Sequence, residues 1–599
     1  MPPATRAAKF RRLLAITVLL CPFYWTIVAV LEGNWGFDFA EAEPRRHFAG
    51  WLVIMAGSIL VVYLMSVKPA FGPLHRFFAW LLSGRIIRRV FITAAWIVTL
   101  VVLFYAEENW RGARAWNNYR SQLEATGAKL DLAAFIPPAV PDDQNFAATA
   151  IPKSWFVEVD KTVFTNTTFR FARYWQDSYE QVATNYLDTN VIAGRRMMNL
   201  AGWGNAFDAI REGRKFSATE FESGKLDRAS RAAAVPAVLA GLKTNEAVLA
   251  ELQTASQRSL CRYPVIYDME NPWGIMLPHL INLRDACRRL TLRACAELAG
   301  GNGDAALADV KLMLYLADTI KDEPFLISHM VRIACVRFAV QPVWEGLAEH
   351  AWSDAQLQEL EARLRNYNFV AAMKRPSDGE RAAGILTAEL IRKKGLGLLL
   401  ELLGSGPSSS AEHKFVNVCS SLIPSGWYHL EQFNYCRFYE MQFAGAYDFA
   451  QKRIWPDRID ANHKEMEKNV PAGSFGKTVA NFLRHRVVAG LILPTTFNIP
   501  IKTAKTQTAA DQAALACALE RFRLANASYP ETLGALMPKF ISQLPADVFT
   551  GQPFAYERTA DGQFILRSVG WDKKDENNPN VGQLIDGQPA DWIWEYPSK

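Results

Sequence analysis

Several groups of residues in this chain have types and spacings that could do chemistry. Asp572, Asp575, Glu576, Asp586 and Asp591 lie close together near the C-terminal end. They offer carboxylate oxygens for calcium, which takes six to eight oxygen ligands. Lys573 and Lys574 stand among them and would repel a cation, so the loop is expected to be a solvated turn first. His463, Glu465 and Glu467 are ligand types, but spacing i, i+2, i+4 does not place all three on one helical face. His329 in "LISHMVRIACV" is a lone histidine on an apolar face and reads as a satisfied core residue. Asp142, Asp143 and Asn145 follow a proline-rich stretch and read as turn and cap residues. Glu380 and Arg381 in "SDGERAAG" read as a buried ion pair or, more simply, an exposed helix start. The chain has no H-E-x-x-H, G-x-S-x-G or G-x-x-x-x-G-K-[ST] motif. No short motif therefore names a reaction, and a hydrolase with dispersed catalytic residues stays open as an alternative.

Two further groups bear on binding. Trp427, Tyr428, Phe433 and Tyr435 lie in an unusually aromatic run, "SLIPSGWYHLEQFNYCRFYEMQF". They fit core packing, and they are also the candidate partner-binding aromatics. The eight cysteines form no C-x-x-C pair. Cys287, Cys295 and Cys335 lie in apolar helical runs, where a free thiol packs as a small hydrophobe.

The elements that position these residues begin in the membrane. Residues 13–31, 48–67 and 90–106 carry no charge, and each run is near the ~17–25 residues that cross a bilayer. The alternatives are a cleaved signal peptide for the first run, and buried helices of a soluble domain for all three. The flanks argue for spans. Residues 1–12 hold four Lys or Arg and 68–89 hold five with no acid, whereas 32–47 hold Arg45 and Arg46 against four acids. Basic loops stay in the cytoplasm, so three crossings put the chain beyond residue 106 outside it. "LHRFFAWLLSGRIIRR" is expected to lie along the inner membrane surface.

Beyond the anchor, helical periodicity predominates. A helix is expected to run to about Leu123 and stop at Gly127, followed by an extended stretch at Pro137, Pro138 and Pro141. From about Val235, Leu239, Leu242, Val248 and Leu252 recur at helical spacing. "LINLRDACRRLTLRACAELAGGNGDAALADVKLMLYLADTI" reads as a helical hairpin of tetratricopeptide type, with Asp304 as a cap for its second helix. No 34-residue period repeats. Ser353 and Gln356 predict a capping box, and 402–413 a loop. Residues 507–529 predict a helix with Leu515, Leu519 and Phe522 on one stripe, and Asp561-Gly562 a hairpin turn. The eight-residue run "VVAGLILP" before it is too short to span.

The order of pieces in the tail resembles the globular half of the major pseudopilin of type II secretion systems. The matching residues are Ala518, Leu519, Phe522, Arg523, Leu524 and Asn526, then Tyr529-Pro530, Leu544-Pro545 and Asp547. They continue with Gly551, Pro553, Tyr556, Ser568, Gly570 and Asp572. The resemblance covers about 90 of 599 residues. It implies a small α+β unit and makes Asp572 and Asp591 weak calcium candidates, although the family's glycine-rich loop centre is replaced by "KKDENNPN". A pseudopilin also has one apolar helix feeding straight into this unit, which differs from the several spans here. Through "PPAVPDDQNFA" and this tail, the whole chain resembles a family of large uncharacterised membrane-anchored bacterial proteins, which implies no activity.

The expected fold is mainly α. Residues 1–106 form a transmembrane anchor, 107–234 a mixed linker and helical segment, 235–505 a helical extracytoplasmic body and 506–599 an α+β module. The expected protein is a multi-pass inner-membrane protein that binds or scaffolds other envelope proteins, without catalysis, cofactor or nucleic acid. An accessory part of a secretion or pilus-like machine is the main alternative. A net charge of +6 over 599 residues is too small to mark a nucleic-acid surface.

Overall fold

The computed structural model describes residues 84–156, 178–186, 196–395, 397–398, 420, 422–471, 475–572 and 592–597. The runs 13–31 and 48–67, the loop 402–413, Cys21, Cys419, Lys573, Lys574, Asp575, Glu576, Asp586 and Asp591 lie outside the described residues. The fold is mainly helical, with a small C-terminal sheet of three strands. The chain divides into two compact units, Met1–Leu123 with Thr387–Asn434, and Glu124–Leu386 with Tyr435–Lys599.

In the first unit, α1 spans Gly84–Ala125. It ends as its sequence predicts, with Gly127 at φ +82° supplying the left-handed turn that side chains resist.

The second unit is built on packed helices. These are α2 (Leu200–Arg211), α3 (Arg228–Leu242), α4 (Pro278–Ala299), α5 (Gly303–Asp318), α6 (Leu326–Ala348), α7 (Asp354–Arg365) and the first part of α8 (Lys374–Lys394). α9 (Ser425–Phe443) starts within the residues of the first unit and ends within those of the second, and α10 (Pro456–Asn469) and α11 (Ile499–Asn526) follow in the second. The α4–α5 hairpin forms where expected. Its cap is Asn302, which accepts from the Ala305 amide, and not Asp304, which lies in the first turn. Asn302 stands one residue before the helix, the position from which a short side chain reaches back to a free amide. The predicted box is present, with Ser353 and Gln356 capping each other. The helix expected from Val235 starts earlier, because Asp227 accepts from Ser230 N and caps α3 at Arg228. The pattern Leu239, Leu242, Val248, Leu252 then continues across a 3-10 turn into a separate helix, Glu246–Ala255.

The tail helix lies deep in this unit. α11 starts at Ile499, eight residues before the expected point, and packs against α6 and α7. Leu515 and Leu519 join a core that also holds Leu290, Leu316, Trp344 and Leu360, while Phe522 packs on its edge. Strands β3 (Ala555–Arg558) and β4 (Phe564–Ser568) form the predicted antiparallel hairpin, with Gly562 at φ +80° in its turn. β5 (Trp592–Trp594) adds a third strand, with Leu566 opposite Trp594. A two-residue ladder, β1 (Tyr447–Asp448) with β2 (Arg453–Ile454), completes the strands described. Neither β5 nor this ladder was expected, since runs of two or three residues are too short for alternation to register.

Candidate functional site

The feature with the clearest physical consequence is the surface of α1. From Val90 to Phe104 its large apolar residues are exposed all the way round the helix, including Phe91, Trp96, Val98 and Leu103. An all-round apolar helix needs an apolar solvent or a full protein coat. Residues 90–106 span about 26 Å at 1.5 Å per residue, close to a hydrocarbon core of about 30 Å. Arg85, Arg88 and Arg89 are exposed at its start. Among the described residues, three helices are long and apolar enough to cross a membrane, namely Arg88–Ala125, Leu326–Ala348 and Val487–Asn526. In the second and third, 61% and 50% of the apolar window is buried inside the protein, and in the first none is. "VVAGLILP" forms a short helix, Val487–Ile492, and the start of a 3-10 turn, Leu493–Thr496, just ahead of α11.

From Tyr105 onward α1 becomes one-sided. Tyr105, Glu108, Asn109, Gly112, Trp116 and Tyr119 are buried or half-buried on one stripe. The candidate aromatics sit against it. The Trp427 Nε1–H donates to Glu108 Oε2 at 3.0 Å, and Phe433 meets Tyr119 edge-on at 5.3 Å. Tyr428 is buried. In the second unit, Tyr435 is fully buried, and its hydroxyl donates to the Glu380 carbonyl at 3.1 Å. Trp427 and Phe433 are half-buried, whereas Tyr428 and Tyr435 are core side chains.

The second unit contains several buried polar clusters, and their chemistry can be read from who donates to whom. His279 is fully buried at the start of α4, stacked on Tyr263 at 4.1 Å and Phe156 at 5.4 Å. Its Nε2 lies 2.7 Å from Glu323 Oε1, and the Ser328 hydroxyl donates to Glu323 Oε2 at 2.5 Å. Serine, histidine and a carboxylate thus meet in an unproductive order. A nucleophilic serine needs the imidazole between it and the carboxylate, and here the carboxylate is in the middle. Burial, then Glu323, pushes the neighbouring Cys261 thiol far up, so it is not a thiolate nucleophile at neutral pH. The cluster ties the α5–α6 turn to α4. No motif could have shown it, because its members are scattered from 261 to 328.

The other clusters are likewise internal ties. Arg231 on α3 pairs with Glu345 of α6 and with Glu349 just past its end, and Glu345 also accepts from Met198 N and Gln341 Nε2. Gln507 of α11 accepts from Phe369 N and donates to the Tyr367 carbonyl and Asp511. Burial pushes Asp511 up to about 7, against the opposing pull of Lys452. Burial also lifts Glu380 to about 7, and its carboxylate accepts from Leu326 N at 3.4 Å. Glu380 and Arg381 do not pair with each other. Arg381 instead pairs with Glu440 and Asp378, because successive helical residues point to different faces.

The remaining expectations fall as follows. His329 is a core residue within 3.2 Å of Thr503 Oγ1, and burial lowers it to about 3. His463 stacks on Phe497 at 4.3 Å. Asn145 caps a short 3-10 turn and bonds the backbone of Arg262. Cys287, Cys295 and Cys335 are buried free thiols. Asp572 is half-buried, and its partner candidate Asp591 lies outside the described residues. Among the described residues no group of three or more His, Cys, Asp or Glu is arranged to hold a metal ion.

Residues that carry the tail's resemblance hold its turns together. Asp547 accepts from Phe549 N at 2.8 Å and Val569 N at 3.1 Å, pinning a turn to the end of β4. The Tyr556 hydroxyl donates to the Pro530 carbonyl at 2.7 Å. Set beside protein-family models, curated proteins and solved structures, the chain matches none.

Proposed function

We propose that this protein is a membrane-anchored envelope protein whose helical body stands outside the cytoplasm and binds or scaffolds other envelope proteins without catalysis. One observation carries the reading. The apolar surface of α1 is exposed on every side, while the other two sufficiently apolar helices have much of theirs buried in the fold. The basic flanks at 1–12 and 68–89 support a cytoplasmic N-terminus. The non-enzymatic part is supported by the polar clusters. Glu323, Glu345 and Glu520 are each engaged by several internal partners, and the serine–carboxylate–histidine order gives a hydrolase no support. The order of the tail, with Tyr529, Asp547 and Tyr556 in bonding roles, favours as second reading an accessory part of a secretion or pilus-like machine.

Alkaline phosphatase, active only outside the cytoplasm, tests the topology. Fused after Lys68 it is expected to be silent, and after Ala150 active. The opposite pattern would overturn the arrangement. For the binding role, the tagged full chain is crosslinked in cells and purified in mild detergent. It is expected to carry defined envelope proteins in fixed ratio, and recovery of the chain alone would count against scaffolding.

A further inference from the structure

The loop that precedes α9 is fastened to α1 at the level where its apolar run ends. The Tyr105 hydroxyl donates to the Leu422 carbonyl. One turn further along α1, Asn109 Oδ1 accepts from Gly426 N at 2.9 Å and lies 3.1 Å from Ser425 Oγ. Trp427 is held by Glu108. At the crossing the two backbones lie so close that a methyl on Gly112 would overlap the backbone of Gly426, and one on Gly426 the backbone of Glu108 and Asn109. The position of Leu422 along α1 is thus set by three successive attachments over Tyr105, Asn109 and Gly112.

The side chain of Leu422 nevertheless points outward, 62% exposed. It sits beside Tyr105, immediately after the exposed Leu103 and Phe104 of the span. Trp110 is also 62% exposed, and the Arg114 guanidinium lies over its ring at 5.2 Å. Five residues separate Tyr105 from Trp110, which is roughly 140° around a helix of 3.6 residues per turn. Leu422 and Trp110 therefore stand on different sides of α1, just beyond its apolar run. Tryptophan and arginine at such a level are the side chains that settle among lipid headgroups, and an exposed leucine continuous with a span is covered most cheaply by acyl chains.

We infer that Leu422 and Trp110, with Arg114, form a lipid-contacting collar that sets how deeply the protein sits in the bilayer. Leu422 enters the edge of the hydrocarbon, the Trp110 indole lies at the headgroup level and Arg114 faces lipid phosphate. The occupant of this surface is the phospholipid bilayer itself, because the surface is continuous with the span of α1. The inference rests on the anchor reading above.

The test places the photo-crosslinker p-benzoylphenylalanine at one position at a time in the full chain, reconstituted into phosphatidylcholine–phosphatidylglycerol vesicles. The positions are Val98 in the span, Leu422 in the collar and Leu524 on α11 as an exposed control, 46% accessible. After irradiation, phospholipid adducts are read by mass spectrometry. Adducts are expected at Val98 and Leu422, at least tenfold above Leu524. Adducts at Val98 with Leu422 no higher than Leu524 would overturn the collar and leave the anchor standing. No adduct at Val98 would overturn the anchor and the collar together.

Discussion

The Tyr529 hydroxyl donates to Glu520 Oε2 at 2.6 Å, and this bond joins the proline turn of the tail to its own helix. Arg523 and His350 complete the shell of Glu520, at 2.7 and 2.8 Å from Oε1. Burial works to raise the Glu520 pKa, but the bonds from Arg523, His350 and Tyr529 outweigh it and hold the group at about 2. Its folded value lies below the ordinary 4.5, so its contribution is present above about pH 4.5 and is lost as pH falls through 2. Glu520→Gln leaves buried Tyr529 and half-buried Arg523 and His350 without their anionic acceptor and is expected to cost about 3 kcal/mol at pH 7. Thermal melts at pH 7 and pH 3 check this, with a much smaller penalty expected at the lower pH.

Glu380 and Asp511 have the opposite sign. Both are lifted to about 7 by burial, from 4.5 and 3.8. Their contribution is present below the unfolded values and is lost as pH rises through 7. Glu380→Gln and Asp511→Asn keep an acceptor and remove the charge. Each is expected to stabilise the fold more at pH 8 than at pH 5, by on the order of 1–3 kcal/mol, with the lower figure for the part-buried Glu380, and thermal melts at the two pH values check it. Equal effects at both pH values would show that neither carboxyl titrates in this range.

Leu316 is fully buried in the core shared by α4, α5, α6 and α11. Leu316→Asp places an unpaired charge there and is expected to cost ~4 kcal/mol or more. Circular dichroism melting of the detergent-solubilised chain measures it. An unchanged melting temperature would mean that this face is open, and would make it a partner surface.

The acidic loop of the tail is expected to be structural first. Melting temperatures in millimolar calcium and in chelator should then agree, since a ligand stabilises only through binding the native state. A calcium-dependent rise of many degrees, abolished by Asp572→Ala, would establish a metal loop.

Much of this architecture is determined locally, and so is legible in the sequence. The apolar run 90–106, the stop at Gly127, the Ser353–Gln356 box, the α4–α5 hairpin and the Asp561-Gly562 turn each depend on residues a few positions apart. Periodicity, capping and turn chemistry act over that same range. What only the tertiary structure decided was partnership at long range. Glu380 and Arg381 are sequence neighbours that turn to different partners. His279, Glu323 and Ser328 meet across 49 residues in an order that no spacing rule shows. On α9, Trp427 and Phe433 meet Glu108 and Tyr119 of α1, while Tyr435 bonds the Glu380 carbonyl, and all these partners are far away in sequence. The tail helix reads as the start of a separate module, yet its Leu515 and Leu519 share a core with α6 and α7. An apolar stripe shows that a helix must be covered, and only the packed chain shows by what.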